Sequence, residues 1–403
     1  MTTTRHISLE VALHWQSDHA THTDRRFFER LSLWRDFFPG DLGERLQTCA
    51  VGDTLSLDVK PGELVPEHDR HLVQRLSLSQ FRRSPRPGLN VTPHVGRFYP
   101  ATFFDTNLFF KGDYRPGRIL ALSEDQLEVD FNHPLARHLA QHPARIEATL
   151  VADLGAGAER GGRCNDIAQE IAARGPGLQA PPAEGEADFL SGDPFARMDP
   201  RDDTQFYANP RLVHHLDATC RARITELYAR FLKPGMRVLD LMSSWVSHLP
   251  EDIADLQVTG LGMNAQELAE NPRLAERVVQ DLNRDTRLPF ADAQFDVVVC
   301  TASVEYLVHP IEVFKEIVRV LKPGGACVMT FSERWFPPKA IELWSELHPF
   351  ERMGLVLQYF QRAGGYAELG TESLRGLPRP EDDKYADQMS ESDPVYAVWG
   401  RSV

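Results

Sequence analysis

The sequence has no run of 18 apolar residues, so it offers no transmembrane helix. Its first residues, MTTTRHISLE, lack the apolar stretch of a secretory signal, which predicts a protein kept in the cytoplasm. Cysteine is scarce. The five (Cys49, Cys164, Cys220, Cys300, Cys327) are scattered, odd in number and form no CxxC pair. That excludes a disulfide scaffold and a zinc ribbon and fits a reducing compartment. Positive charge is short as well: 44 Lys and Arg face 58 Asp and Glu, for a net charge of −14. Bulk binding to nucleic acid or to an anionic membrane is therefore not expected. Lysine is nearly absent, seven of the 44 basic residues against 37 arginines, a skew read as compositional bias and not as a phosphate site. No internal repeat is visible.

What is present is the composition of a soluble globular chain, 42% hydrophobic and 25% charged, and 403 residues suggest two or three domains. Residues 5–155 read as short strands and turns. Residues 156–203 are rich in Gly, Pro and acids and read as a linker or an extended arm. From Phe206 onward, strand-like and helix-like segments alternate, the mark of a parallel α/β sheet. The expected division is 1–155, 156–203 and 204–403, and the fold class is α/β plus mainly β.

In the C-terminal part, strands are expected at Arg237–Leu241, Val258–Met263, Val278–Leu282, Phe295–Thr301 and Ala326–Phe331. Phe295–Thr301 (FDVVVCT) is continuous and β-branched, as a strand buried on both faces would be. Ile311–Leu321 has apolar residues at helical spacing and is stopped by Lys322-Pro323-Gly324-Gly325. One long helix is expected from Lys339 to Arg362. The last strands, Ala367–Leu374 and Val395–Gly400, should add as an antiparallel pair at one edge.

The segments VLDL (238–241), LPFADAQFDVVVC (288–300) and VFKEIVRVLKPGG (313–325) resemble the class I S-adenosylmethionine methyltransferases over about residues 205–403. The resemblance implies a Rossmann-like seven-stranded sheet with S-adenosylmethionine as cofactor. It places Asp240 beneath the cofactor loop and Asp281, followed by Leu282, beside the adenine amino group. The family's glycine loop is here Met242-Ser243-Ser244-Trp245, which puts bulk where glycines let backbone approach the cofactor. The acid that ends the family's second strand is missing from Gly262-Met263-Asn264. Ser243 and Ser244 are the expected donors to the methionine carboxylate, and Asn264 to the ribose. The segments SSWVSHLP and GLGMN resemble a plant and cyanobacterial branch with the same substitutions. A methyltransferase fold that has lost its cofactor is the other reading of these changes. Methyl transfer needs alignment and a dry site more than acid–base groups. Candidates on the acceptor side are Ser303, Glu305, Tyr306 and His309 after the fourth strand, and Tyr207, Arg211, His215 and Asp217 before the first. Tyr207, His215, Glu305 and Tyr306 are the catalytic candidates. His215 and Asp217 also suit helix caps, and Glu305 and His309 suit solvated loops. Val151–Ala158 (VADLGAGA) matches the family's glycine loop better than residues 238–245 do. No second strand follows it at the required distance, so it is set aside as the cofactor loop.

In the N-terminal part, VDFNHPLA (129–136) and HDRHLVQRLSLSQF (68–81), with PGDL and VGDTLSLDV, resemble the SlyD-like branch of the FKBP-type prolyl isomerases. That implies an FKBP/SlyD-like α+β domain with a flap insert at about 72–130, a holder of unfolded or extended peptide. Two groove tyrosines of the family fall on Val11 and Val65 and a groove phenylalanine on Ile146, which speaks against isomerase activity. Phe37 and Phe38 remain as apolar groove candidates. Phe98, Tyr99, Phe103, Phe104, Phe109 and Phe110 either fill a small core or bind peptide. His68 with His71, and His138 with His142, lack a third ligand, so no metal site is expected. Three functions stay open: a methyltransferase fed by a fused peptide-binding module, a SlyD-like holdase carrying an inert methyltransferase fold, and a small-molecule methyltransferase supported by its N-terminal half.

Overall fold

The computed structural model describes residues 4–83, 91–110, 112–157 and 162–403. The chain forms two compact units, and neither is one contiguous stretch. Unit 1 comprises Met1–Asp18, Arg30–Pro194 and Phe350–Gly354, and unit 2 comprises His19–Glu29, Phe195–Pro349 and Leu355–Val403.

Strand β1 (Thr4–Gln16) is followed by β2 (Thr21–Ser32) and β3 (Thr54–Val59). In unit 1, β1 pairs antiparallel with β8 (Ala144–Gly157), and β8 pairs antiparallel with β3. Inserted between β3 and β8 is a four-stranded sheet of β4 (Val73–Ser77), β5 (Phe98–Pro100), β6 (Pro116–Leu122) and β7 (Gln126–Asp130), in the order β4-β7-β6-β5. Its core is aromatic: Phe81, Tyr99, Phe104 and Phe131 are buried, with Phe103 and Phe109 packed against them. Val11, Val65 and Ile146 are buried, whereas Phe37 is exposed. After β7, Asn132 fixes the chain by accepting from the Asp69 amide at 2.8 Å and donating to its carbonyl at 2.9 Å. The Val151–Gly157 stretch is the end of β8, extended backbone with no loop to hold a cofactor.

The segment expected as a linker is built into unit 1 over its described residues up to Pro194. It carries the helix Ile167–Ala172, capped by Asp166, and buries Leu178, Ala180 and Phe189. Glycine density misled the reading. Gly175 and Gly177 take positive φ against Phe350 and Pro134, places a Cβ could not enter.

Unit 2 has one mixed sheet. Its strands are β9 (Arg237–Leu241), β10 (Gln257–Gly262), β11 (Glu276–Val279), β12 (Phe295–Thr301), β13 (Leu321–Phe331), β14 (Tyr366–Arg375) and β15 (Val395–Ser402). The order is β11-β10-β9-β12-β13-β15-β14-β2. The first five are parallel, and β15 runs antiparallel to both neighbours. β12 is buried along most of its length, as its continuous apolar run requires. Helix Pro310–Val320 starts with proline at its first turn and buries Val313, Phe314, Ile317 and Val320 on one face.

Two expectations fail here. The long helix is two, Glu342–Glu346 and Pro349–Ala363, because Pro349 has no N–H to continue the first and is preorganised to start the second. The last strand pair does not form the edge of the sheet. An eighth strand, β2, pairs in parallel with β14 from Thr21↔Gly370 to Arg26↔Arg375. Two buried contacts hold it: His22 Nδ1 lies 2.8 Å from Thr371 Oγ1, and Ser373 Oγ donates to Asp24 Oδ1 at 2.8 Å.

Candidate functional site

A cavity of about 500 Å³ opens at the carboxyl ends of β9, β10, β11 and β12. In an open α/β sheet this is where ligands sit, and the order reverses between β9 and β12. Eleven of the twelve expected site residues line it: Tyr207, His215, Tyr306, Asp240, Met242, Ser243, Ser244, Asn264, Asp281, Leu282 and Ser303. Arg211 lines it too.

β9 delivers Asp240, buried, which accepts from Ser243 Oγ at 2.6 Å and Ser247 Oγ at 2.5 Å. Burial pushes its carboxyl up to about 6, although both serine hydroxyls pull the other way. The turn after β9 keeps the conformation a glycine would supply: Met242 has φ +56°. Ala302, after β12, has φ +47° and also lines the cavity. Two left-handed non-glycine residues on neighbouring strand ends mark backbone held in place by its surroundings. The Ser243 amide donates to the Leu261 carbonyl at 2.7 Å, and the Ser243 carbonyl lies where a Cβ on Gly262 would be, 2.1 Å from it. Gly262 therefore lets the loop close onto β10.

Trp245 does not fill the cavity. Its indole Nε1 donates to the Val213 carbonyl at 3.3 Å and its ring packs on His214 at 4.7 Å, so it forms a wall. Asn264 is not free for a ribose. Its side-chain oxygen caps a helix by accepting from the Gln266 and Glu267 amides at 2.9 and 3.1 Å, and its nitrogen donates to the Tyr207 carbonyl at 2.9 Å. The helix N-cap position claimed its oxygen, a demand the motif reading did not weigh. Ser244 is also engaged, donating to Glu267 at 2.7 Å, while the other Glu267 oxygen accepts from the Arg211 amide at 2.7 Å. Asp281 keeps one carboxylate oxygen beyond its bond from the Asn283 amide, and burial raises its pKa.

Glu305 departs from expectation. It is buried in the turn Val304–Tyr306 and does not line the cavity, and its carbonyl accepts from the Ile341 amide at 3.0 Å. His309 precedes the helix Pro310–Val320 and also lies outside the lining. Asp217 is structural, capping the helix Ala218–Ala229 through the Cys220 amide at 2.9 Å and accepting from Ser392 Oγ at 2.8 Å. The Tyr207 hydroxyl lines the cavity with no hydrogen bond among the described residues, and burial raises its pKa. Tyr306 accepts from the Phe336 amide at 2.9 Å and stacks on that ring. The His215 ring meets Phe336 edge-on at 5.1 Å, and burial together with Lys384 and Arg211 holds its pKa down, so it is neutral near pH 7. Residues the motifs did not reveal are Glu333–Pro337 after β13, Lys384 and Tyr385 between β14 and β15, and His214, Arg221 and His248. The only signal available for the first group was its place after a strand end.

Residues 243–329 match the family of methyltransferase domains. That stretch lies within unit 2. The cofactor this domain implies is S-adenosylmethionine. Over 173 residues, 40% of the chain, it is 27% identical to the ubiquinone/menaquinone biosynthesis C-methyltransferase of Laribacter hongkongensis and spans 68% of that protein. Over 143 residues, 35% of the chain, it is 33% identical to the demethylmenaquinone methyltransferase of Beutenbergia cavernae and spans 54% of that protein. The chain thus spans from about half to about two thirds of these relatives. A solved SAM dependent methyltransferase from Aquifex aeolicus is similar over 44% of this chain and 88% of its own, at 15% identity and a TM-score of 0.30. The residues of the methyltransferase domain fit a nucleoside cofactor at two points. Asp281 offers a carboxylate oxygen, and Gly262, which also lines the cavity, lets the Ser243 backbone close onto β10 where a side chain would block it.

Proposed function

We propose that this chain transfers a methyl group from S-adenosylmethionine, and that its N-terminal unit is a SlyD-like FKBP module for unfolded or extended peptide. The observation that carries the first part is the cavity of about 500 Å³ that survives beside the Met242–Trp245 loop. That volume is ordinary for a small-molecule site. When bound, the cofactor supplies a methyl group on a sulfonium. The chain's part is to align the acceptor and exclude water, a role suited to the stacked Tyr306 and Phe336 rings that line the cavity. Neutral His215 is the group placed to take a proton from the acceptor, while the Tyr207 hydroxyl, held protonated by burial, is placed to donate a hydrogen bond to it.

Calorimetric titration of S-adenosylmethionine and S-adenosylhomocysteine into the full chain tests this. Binding in the micromolar range is expected, and no binding by folded protein overturns the reading. For unit 1, the supporting observations are the inserted four-stranded sheet over 73–130 and two aromatics beside it, Phe110 and Tyr114, that are 74% and 76% exposed. Suppression of aggregation of an unfolded client is expected from the full chain and should weaken in Phe110→Ser/Tyr114→Ser. Equal activity of the two proteins, or none in either, removes the module from the reading.

A further inference from the structure

The chain has fewer basic than acidic residues, and ion pairs hold many of the basic ones. Against that background three cations line one cavity with no carboxylate within 4.0 Å among the described residues: Arg211, Arg221 and Lys384. A fourth, Arg334, reaches Asp393 through Nε at 3.0 Å but leaves a buried Nη2 without a hydrogen-bond partner. Asp203, Asp240, Glu267, Asp281 and Glu333 line the same cavity, but none of them pairs with these three cations among the described residues, and a cation left out of ion pairs in a walled cavity is a provision for an anion.

Three of these cations come from other segments than the strand ends that fit the cofactor, although the Arg211 amide shares Glu267 with Ser244. Those strand ends belong to β9, β10 and β11. Arg211 precedes the helix Ala218–Ala229, Arg334 follows β13, and Lys384 lies between β14 and β15. Their surroundings are aromatic. The Arg211 guanidinium donates through Nη2 to the Phe206 carbonyl at 2.9 Å and stands over the Phe336 ring at 5.2 Å and the Phe206 ring at 4.5 Å, which leaves Nη1 and Nε for a ligand. The Tyr385 ring is shared by Arg334 at 4.2 Å and Lys384 at 4.9 Å. A guanidinium on a ring face keeps its edge for hydrogen bonding to a carboxylate. His215 is held below its ordinary pKa first by burial and then by Lys384 and Arg211, with Glu267 opposing them.

We propose that the methyl acceptor is a small aromatic or conjugated carboxylic acid, its carboxylate held by Arg211 and Lys384 and its ring lying against Phe336 and Tyr385. This rests on the methyltransferase reading above. It differs from delivery of a peptide, because a cavity of about 500 Å³ shared with a cofactor admits a compact acceptor.

The test uses the full chain saturated with S-adenosylhomocysteine. Calorimetry then compares 2-hydroxybenzoate, 4-hydroxybenzoate and 1-hydroxy-2-naphthoate with their neutral carboxamides. At least one acid should bind about tenfold tighter than its amide. Lys384→Gln, at an exposed position, should weaken that acid about fivefold and leave the amide and S-adenosylhomocysteine as they were. Arg211→Gln should also weaken the acid. Failure of S-adenosylhomocysteine to bind folded protein removes the methyltransferase reading and this proposal with it. If it binds but acids and amides bind alike, or none binds, the proposal alone falls. Loss of S-adenosylhomocysteine affinity in Lys384→Gln would assign the cation to the cofactor's own carboxylate and also overturn it.

Discussion

Gly262 and Asp240 show how single residues shape the cavity. Because the Ser243 carbonyl sits where a Cβ on Gly262 would go, Gly262→Ala must push the cofactor loop away from β10. The expected result is a loss of about 1–3 kcal/mol in stability and at least tenfold in S-adenosylhomocysteine affinity, read by urea unfolding and calorimetry. Asp240 is held at about 6 against an ordinary 3.8, so between those values the folded protein keeps a proton that the unfolded chain releases. Stability is therefore lost as pH rises from about 4 to about 6, by up to about 3 kcal/mol, and is flat with respect to this group above that. Asp240→Asn should remove that part of the slope when urea midpoints are followed from pH 4 to 7.5. The same slope in both proteins would show that another group carries it. Both residues were visible in the sequence by position. Their environment was not, because the close approach of the Ser243 carbonyl to Gly262 and a desolvated carboxyl are products of packing.

At the scale of elements, the segment leading into the cavity is anchored by Lys339, a lysine only 1% exposed. Its Nζ lies 3.0 Å from Asp203 Oδ1 and donates to the Arg201 carbonyl at 2.7 Å, while Arg197 also grips Asp203 at 2.7 Å. Lys339→Ala leaves that carboxylate half-compensated and should cost about 3 kcal/mol by urea unfolding. A change under 1 kcal/mol would mean that Arg197 suffices. Expected strand bounds and the observed ones agree closely for β9 and β12, since short apolar runs between turn residues are local signals. The break at Pro349 was written in the sequence and was outweighed by the helical spacing on both sides. The partnership of β2 with β14 had no local signal, because pairing across 349 residues leaves no trace in spacing.

For the whole molecule, neither unit is a continuous piece of chain. A 195–403 fragment would lack Thr21–Glu29, leaving the β14 edge unpaired with Thr371 and Ser373 deprived of His22 and Asp24. An open edge of this kind recruits other strands. The fragment should therefore elute as aggregate in size-exclusion chromatography under conditions where the full chain does not. A monodisperse fragment with native far-UV circular dichroism would show that β2 is dispensable.

The sequence by itself determined the parallel α/β half and pointed to residues at its strand ends that the fold brings to one cavity, because apolar runs, turn residues and strand-end motifs are local and survive without coordinates. Only the tertiary structure decided that Asn264 is spent on a helix cap, that Trp245 forms a wall, that Glu305 lies outside the cavity, and that Arg211 and Lys384 line it without an ion pair among the described residues. Each depends on which distant groups compete for the same hydrogen bond, ring face or charge, and that competition exists only once the chain has folded.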